Sequence, residues 1–301
     1  MSRRMRGLGA FWAPALLALF ACSAASVSPQ AAVEERLIDS AQVDESSGLA
    51  RSRRSADLLW THNDSGGAAE VYAVDRDGRF HGTLRIAAAR NVDWEDIAAF
   101  VEDRQPRLLI ADTGDNRARR PFVMLYVVDE PDVSAAARPF AVDAVPQRAI
   151  RVTYPDGARD VEGVAVDARA GHIYLLSKRD AVPRLYRVPL APDAEVVVAE
   201  ALGEIAIPRA TTIGPWGQSF NYATAMDIDA AGTTLAVTTY THAYLYRRAA
   251  DESWPAALRR APRSVALPAY VQIEACALDG PALWVTSEGV PAPLARVEHA
   301  P

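Results

Sequence analysis

Alternating apolar and polar residues fill most of the chain in short segments, and the same order of segments returns several times. The first segment of each unit begins with polar residues, as in "SSGLA" from Ser46, "WEDIA" from Trp94 and "VEGVAVD" from Val161. The same beginning returns in "ATAMDID" from Ala223 and "IEACAL" from Ile273. A period of two indicates β-strands, and no long segment shows helical periodicity. The sequence therefore predicts an all-β protein made of repeats.

Further strand-like segments follow each first strand in a constant order. The second strands read "LLWTHND", "RLLIADTGDN", "HIYLLSKRD", "TLAVTTYTH" and "ALWVTSEG". Third strands such as "EVYAVD" and "RLYRVPL" come next, and then fourth strands such as "GTLRI", "RAIRVTY", "EALGEIAI" and "RSVAL". Four strands in roughly 50 residues are typical of one blade of a β-propeller.

The number of units predicts five four-stranded blades. The fifth unit lacks a fourth strand, and the N-terminal "EERLIDSA" can supply it, which would close the ring and remove its open edges. Six blades are the alternative, in which "EVVVAEALGEIAIP" and "GPWGQSFN" form a degenerate blade.

Acidic residues recur where the innermost strand of each predicted blade begins. In a propeller these starts and the ends of the second strands meet around one mouth of the central channel. The matching positions of the five inner strands hold Ser47, Glu95, Glu162, Thr224 and Glu274. Crowded carboxylates need a counter-charge, and hard oxygen ligands suit Ca²⁺ or Mg²⁺ better than zinc. We predict Glu95, Glu162 and Glu274 as metal ligands, with Glu95 and Glu162 also catalytic.

The ends of the second strands add further polar side chains to the predicted mouth. Lys178 is the only lysine among the 32 basic residues, and we predict that it is catalytic and grips an anionic substrate group. A local salt bridge is the alternative for Lys178, and the "DTGDN" loop has both a tight turn and a calcium loop as interpretations. The predicted ligand-binding residues are Asn63, Asp64, Asp112, Asp115, Asn116, Arg179, Tyr240 and Glu288.

The N-terminal segment has the layout of a secretory signal peptide. Three arginines precede the apolar run "GLGAFWAPALLALFA", which is short for a membrane span of about 20 residues. The run ends in "LFAC", which predicts a signal peptide at 1–21, lipidation of Cys22, a tether at 22–32 and a propeller domain at 33–301. The prediction is an exported protein anchored in the outer membrane, facing the periplasm or the cell surface. Ordinary cleavage at "SAAS", giving a freely periplasmic or secreted protein, is the alternative.

Composition narrows the choice of ligands. The formal charge of −6 gives no support to nucleic-acid binding, which needs a basic face. No phosphate-binding glycine loop is present, and we expect no nucleotide, haem or flavin. The five histidines lack zinc-site spacing. Cys276 lies in the apolar "IEACAL" and is expected to be a buried free thiol.

Several of these motifs resemble those of a known group of proteins. "SSGLA", "DVEGVAVD", "DWEDIA" with "ADTGDN", and "WVTSEG" resemble bacterial exported propellers of the phytase-like and SdiA-regulated families, and more distantly gluconolactonase and NHL-type propellers. Some members of this group bind Ca²⁺ in the channel and hydrolyse phosphoesters or lactones. The resemblance covers residues 45 to 297 and implies acidic positions at Glu95, Glu162 and Glu274, from which Ser47 and Thr224 depart. It also implies outer-membrane sorting, from Ser23 after Cys22.

Three functions are compatible with such a mouth. The first is a binding or assembly platform that grips a ligand or an envelope protein. The alternative is a divalent-metal-dependent hydrolase of phosphoesters or lactones, with an anionic small molecule as its substrate. The second alternative is a glycosidase that uses paired carboxylates. Fold resemblance alone does not choose among them.

Overall fold

The computed structural model of the chain describes residues 32–205, 207–208 and 222–299. Five small sheets form a ring around a central channel, and this is a five-bladed β-propeller. The all-β fold and the five blades predicted from the sequence are confirmed. The predicted signal peptide, Cys22 and nearly all of the tether lie outside the described residues.

Each blade takes its main strands in chain order from the channel outward. The chain enters through β1 (Val33–Leu37), which joins the last blade. Blade 1 consists of β2 (Ser46–Arg51), β3 (Leu58–Asn63), β4 (Glu70–Asp75) and β5 (Phe80–Ile86). Blade 2 consists of β6 (Trp94–Glu102), β7 (Gln105–Asp112), β8 (Val123–Asp129) and, after β9 (Phe140–Ala144), β10 (Arg148–Thr153).

The other three blades follow the same plan. Blade 3 consists of β11 (Val161–Asp167), β12 (His172–Ser177), β13 (Arg184–Pro189) and, after β14 (Val196–Val198), β15 (Glu200–Glu204). Blade 4 consists of β16 (Ala225–Ile228), β17 (Thr234–Thr238), β18 (His242–Arg247) and, after the helix α1 (Trp254–Ala257), β19 (Arg263–Ala266). Blade 5 consists of β20 (Ile273–Asp279), β21 (Ala282–Ser287) and β22 (Pro293–Glu298), followed by β1.

Two blades have a fifth strand that comes from the following blade. Strand β9, between the third and fourth strands of blade 2, pairs in parallel with β5 of blade 1. Strand β14 does the same from blade 3 and pairs in parallel with β10 of blade 2. The stretch "EVVVAEALGEIAIP" thus divides between blades 2 and 3, and the six-blade alternative is wrong. The "GPWGQSFN" stretch lies outside the described residues.

The ring closes through the N-terminal strand. Strand β1 pairs antiparallel with β22, from Val33 opposite Val297 to Leu37 opposite Pro293. It supplies the fourth strand of blade 5, as the sequence predicts. Ion pairs also join blade 5 to blade 1. The carboxylate of Asp279 in blade 5 lies 2.8 Å from Arg51 and 2.6 Å from Arg76 of blade 1.

The core lies between the blades. Successive side chains of a strand point to opposite faces of its sheet, so each blade packs apolar side chains against both neighbouring blades. On β7, Leu109 and Ala111 pack toward blade 3, whereas Leu108 and Ile110 pack toward blade 1. Both faces of the sheet are therefore buried, which explains why the strands are almost continuously apolar. Cys276 is a buried free thiol, as predicted. Among the described residues no helix is long and apolar enough to cross a bilayer.

Candidate functional site

Four of the five inner strands have a β-bulge at the same point near the channel mouth. The register shifts there on β2, β6, β11 and β20, so that one extra residue stands between two paired ones. A bulge bends the strand locally and redirects a side chain, and bulges are frequent beside functional sites. Strand β16 pairs without a shift, directly after Thr224. The extra residues on the four bulged strands are Ser47, Glu95, Glu162 and Glu274.

The mouth encloses a cavity of about 260 Å³. Nine of the twelve channel-mouth residues predicted from the sequence line it, and Gln272 joins them. Three of them directly follow the end of a second strand, at Asp64, Lys178 and Glu288. The other lining residues are Glu95, Asn116, Glu162, Arg179, Tyr240 and Glu274.

Lys178 joins two of the glutamates across the cavity. Its Nζ donates to Glu162 Oε2 at 2.7 Å and to Glu274 Oε1 at 3.1 Å, and all three side chains are buried. Burial opposes the charge on Lys178, but Glu162 and Glu274 outweigh it and hold the lysine pKa well above its usual range. The ammonium also lies 5.7 Å from the centre of the Tyr240 ring. Lys178 is therefore a fixed cation whose hydrogen bonds go to two different blades.

Three other carboxylates come together without such a partner. Oxygen atoms of Asp64, Asp93 and Glu95 lie within 4.8 Å of one another, and in the described part of the chain none of the three forms an ion pair. Burial and repulsion by Glu162 hold the Glu95 pKa well above its usual range, and burial with repulsion by Asp93 raises the Asp64 pKa to about 7. This group, which we call the carboxylate triad, has the donor set that a hard divalent cation prefers.

Glu95 also belongs to a second group of close carboxylates, with Asp160 and Glu162. Here the counter-charges are already present, because Arg179 contacts Asp160 at 2.5 Å and Lys178 contacts Glu162. Glu274, which the sequence predicts as a metal ligand, lies in neither group of described residues. Its Oε1 accepts hydrogen bonds from Lys178 and, at 3.4 Å, from the Tyr240 hydroxyl.

The loop between β7 and β8 packs closely against the carboxylate triad at Gly114. A side chain at Gly114 would place its Cβ 2.1 Å from Glu95 Oε1 and 2.6 Å from Asp93 Oδ2, so only glycine leaves room for both carboxylates. The guanidinium of Arg120 holds the loop by donating to Asp112 Oδ1 at 2.7 Å and to the Gly114 carbonyl at 2.8 Å. The "DTGDN" segment is thus a loop that shapes the site.

Other predicted ligand-binding residues hold neighbouring loops in place. Asn63 Oδ1 accepts the backbone N–H groups of Asp44 and Glu45 at 3.2 and 3.3 Å. Asp115 Oδ2 accepts the backbone N–H of Arg120 at 2.7 Å. Neither Asn63 nor Asp115, nor Asp112, lines the mouth cavity. Asn116 does line it, and its side-chain oxygen accepts a hydrogen bond from Arg179.

Glu288 lies beside Glu274 and is oriented by an amide. Gln272 Nε2 donates to Glu288 Oε1 at 2.9 Å. Burial, with repulsion by Glu274, raises the Glu288 pKa to about 8. Glu288 is therefore a cavity carboxyl that can exchange a proton near neutral pH.

Sequence reasoning left four contributors out of its predicted site: Asp93, Asp160, Arg120 and Gln272. Asp93 and Asp160 directly precede the bulged strands β6 and β11, and this neighbourhood was a usable signal. Gln272 has the same place before Glu274. Arg120 acts from six residues beyond Gly114, and no pattern along the chain marks it.

Comparisons with known proteins match the fold at low similarity. No family model and no curated protein matches the chain. A gluconolactonase from Xanthomonas campestris matches at 14% identity and a TM-score of 0.46, over 89% of each chain. An oxidoreductase of Thermus thermophilus, described as a glucose dehydrogenase, matches at 11% and 0.45, over 89% of this chain and 99% of that one. A chain of a nidogen/laminin complex matches at 14% and 0.42, over 81% and 73%. Identities this low say nothing about the chemistry of the mouth.

Proposed function

We propose that this protein is a divalent-cation-dependent hydrolase of small anionic esters, phosphoesters or lactones, acting at the channel mouth. The carboxylate triad carries the proposal. The buried Glu95 and the half-buried Asp64 and Asp93 bring three carboxyl groups together, and within the described residues none of the three forms an ion pair. Oxygen-only ligands favour Ca²⁺ or Mg²⁺.

The residues of the cavity divide the work. A cation held by Asp64, Asp93 and Glu95 would supply Lewis acidity toward a phosphoryl or carbonyl oxygen. Arg179, whose side chain is 42% exposed, is the cation at the rim that can bind an anionic substrate group. Glu288, with a pKa of about 8, suits proton transfer between water and a leaving group. Lys178 fixes Glu162 and Glu274 in place.

Thermal unfolding of the domain from residue 23 onward, in EDTA and then with Ca²⁺ or Mg²⁺, tests the cation site. A cation that binds only the native state adds about 2.7 kcal/mol at one hundred times its dissociation constant. We expect this gain in the native chain and its loss in Glu95→Gln. Glu195→Gln is the matched control, because Glu195 is an exposed glutamate with an 84% exposed side chain. An equal gain in Glu95→Gln would place the cation elsewhere.

Hydrolysis is tested separately with the same variants. Phosphomonoesters, phosphodiesters and lactones are screened with the cation that stabilises the chain, and we expect Glu95→Gln to reduce turnover by about 100-fold or more, the scale of one lost electrostatic contact. Arg179→Gln should raise KM for anionic substrates and leave neutral lactones unaffected. Cation binding without turnover of any of these substrates would reject the hydrolase and keep the cation site.

A binding platform is the second candidate, and exposed apolar residues around the mouth favour it. Val92 and Val271 precede the inner strands of blades 2 and 5, and Val290 follows the second strand of blade 5. Their exposed fractions are 52%, 62% and 63%. Val271→Ser with Val290→Ser should abolish the capture of an envelope protein by this face and leave the cation-induced stabilisation unchanged. Capture that survives both changes would argue against this surface.

We also propose that the chain is exported and held at the outer membrane by a lipid on Cys22. The apolar run, "LFAC" and the serine after the cysteine support this anchor. Cells that express the chain should incorporate labelled palmitate into it, and Cys22→Ser should abolish labelling and release the protein into the soluble fraction. Equal labelling of both forms would contradict the proposal.

A further inference from the structure

Gly114 is held on both sides of its peptide at the point where the loop between β7 and β8 meets the carboxylate triad. Its N–H donates to the backbone carbonyl of Asp93 at 3.0 Å, and its own carbonyl accepts a hydrogen bond from Arg120 Nη1 at 2.8 Å. A glycine has no side chain with which to fix itself, and a Cβ at this position would collide with Glu95 and Asp93. The Arg120 guanidinium is therefore the side-chain group that holds the loop at its closest approach to the triad.

A second set of contacts leads from Arg120 to the triad through Asp112. The same Nη1 donates to Asp112 Oδ1 at 2.7 Å, and this oxygen also accepts the backbone N–H of Asp93 at 3.2 Å. The side chains of Asp112 and Arg120 are 1% and 17% exposed, so the pair is largely shielded from water. The backbone N–H of Arg120 donates in addition to Asp115 Oδ2 at 2.7 Å. Arg120 itself does not line the mouth cavity, so it acts on the triad only through this loop and its own charge.

We propose that Arg120 is a positioning residue of the cation site and sets the affinity for the cation without contacting it. By holding Gly114 and Asp112, it keeps the carboxylates of Asp93 and Glu95 close together. The inference rests on the cation site proposed for the carboxylate triad. Groups that orient metal ligands from outside the coordination shell typically change metal affinity by about 10–100-fold.

Position and charge predict opposite results when Arg120 is removed. A guanidinium near the triad repels a divalent cation, so the loss of its charge alone should strengthen cation binding. The loss of its hydrogen bonds releases the loop and lets the carboxylates separate, which should weaken cation binding. The direction of the change in affinity therefore distinguishes a positioning residue from a charge that merely lies nearby.

Isothermal titration of the chain from residue 23 onward with Ca²⁺ and with Mg²⁺ measures this affinity. Arg120→Met should weaken the cation that the native chain binds by about tenfold or more. Arg120→Lys should retain part of the affinity, because its ammonium can donate to the same two oxygens. Arg117→Met is the matched control, since Arg117 is an exposed arginine of the same loop and its replacement removes the same charge. It should bind the cation as tightly as the native chain or more tightly.

A second variant separates the loss of affinity from a loss of folding. Arg120→Met leaves Asp112 buried without its cation, which destabilises the fold, and adding Asp112→Asn removes that charge. The double variant should bind the cation about tenfold or more weakly than Asp112→Asn alone, and thermal unfolding in EDTA shows that both are folded. A native chain that binds neither cation would overturn the cation site and this inference together. Binding by the native chain that is unchanged or strengthened in Arg120→Met and in the double variant would overturn the role of Arg120 alone.

Discussion

At the scale of single residues, Lys178 shows how a mouth crowded with acid stays folded. A buried charge is costly unless it is paired and hydrogen-bonded, and Lys178 pairs with two glutamates at once. The rarity of lysine in this chain marked the residue, but the pattern along the chain could not show which carboxylates face it. Those partners come from blades 3 and 5, and only the ring brings them together.

Lys178→Met should destabilise the fold by about 3–5 kcal/mol in EDTA, because it leaves Glu162 and Glu274 buried without their cation. Urea unfolding measures the loss. Adding Glu162→Gln and Glu274→Gln to the same chain should recover most of it, since neither former partner of Lys178 then carries a charge. A loss below about 1 kcal/mol in the single variant, the range of an exposed pair, would show that the pair is solvated.

Gly114→Ala tests the close approach of the loop to the carboxylate triad. The new Cβ would collide with Glu95 and Asp93, so these carboxylates must move apart. We expect the apparent affinity for the stabilising cation to fall by about tenfold or more. Without cation, the free energy of unfolding should change by about 1–3 kcal/mol. Gly67→Ala is the control, because a Cβ at Gly67 meets nothing within 4 Å. Normal cation binding in Gly114→Ala would contradict the position of the site.

At the scale of elements, alternation predicted the four main strands of each blade but not the features that complete them. Strands β9 and β14 are short and lie inside connections, where their partners are strands of the preceding blade. The sequence did not predict the bulges either. A bulge adds one residue to the period of two, but at the polar start of a strand there is no apolar alternation in which the extra residue would show. Matching the repeats nevertheless placed Ser47, Glu95, Glu162 and Glu274 at one level, because the bulge itself is repeated.

Removal of residues 33–37 tests the closing strand. The deletion exposes the edge of β22, with its unpaired backbone groups, and separates blade 5 from the start of the chain. We expect the unfolding temperature to fall by about 10 °C or more, since a loss of 1 kcal/mol lowers it by about 2–4 °C in a domain of this size. Removal of residues 23–31 is the control and should have little effect. Calorimetry that shows equal stability for both deletions would mean that β1 does not close the ring.

At the scale of the whole molecule, the excess of buried carboxyl groups makes stability depend on pH. Burial raises the pKa of Asp227 to about 6, that of Asp64 to about 7 and that of Glu288 to about 8, all above their values in the unfolded chain. The native state therefore binds more protons than the unfolded state between about pH 4 and pH 8. The protonated forms stabilise the fold fully below about pH 4, and this contribution is lost as the pH rises through 6 to 8.

In EDTA the free energy of unfolding should thus decrease between pH 5 and pH 8.5. Asp227, whose pKa rises from 3.8 to about 6, accounts for about 3 kcal/mol at 1.36 kcal/mol for each pKa unit. Asp227→Asn should flatten the lower part of this dependence, and its amide oxygen can still accept the backbone N–H of Leu278, which lies 2.8 Å from Asp227 Oδ2. Chemical unfolding at a series of pH values measures the slope. Stability that increases toward pH 8.5 would contradict a raised pKa at these carboxyl groups.

The two parallel fifth strands, β9 and β14, determine when blades 1 and 2 can be completed during synthesis. Strand β5 ends at Ile86, but the strand that covers its edge ends only at Ala144, after most of blade 2 has been made. The strand that covers the edge of blade 2 is β14, which ends at Val198. The partner of β1 is β22, the last strand to be synthesised. A nascent chain that stops after β8 therefore leaves the outer edge of blade 1 uncovered, and one that stops after β13 does the same for blade 2. Synthesis has to run well past each of these blades before that blade is sealed.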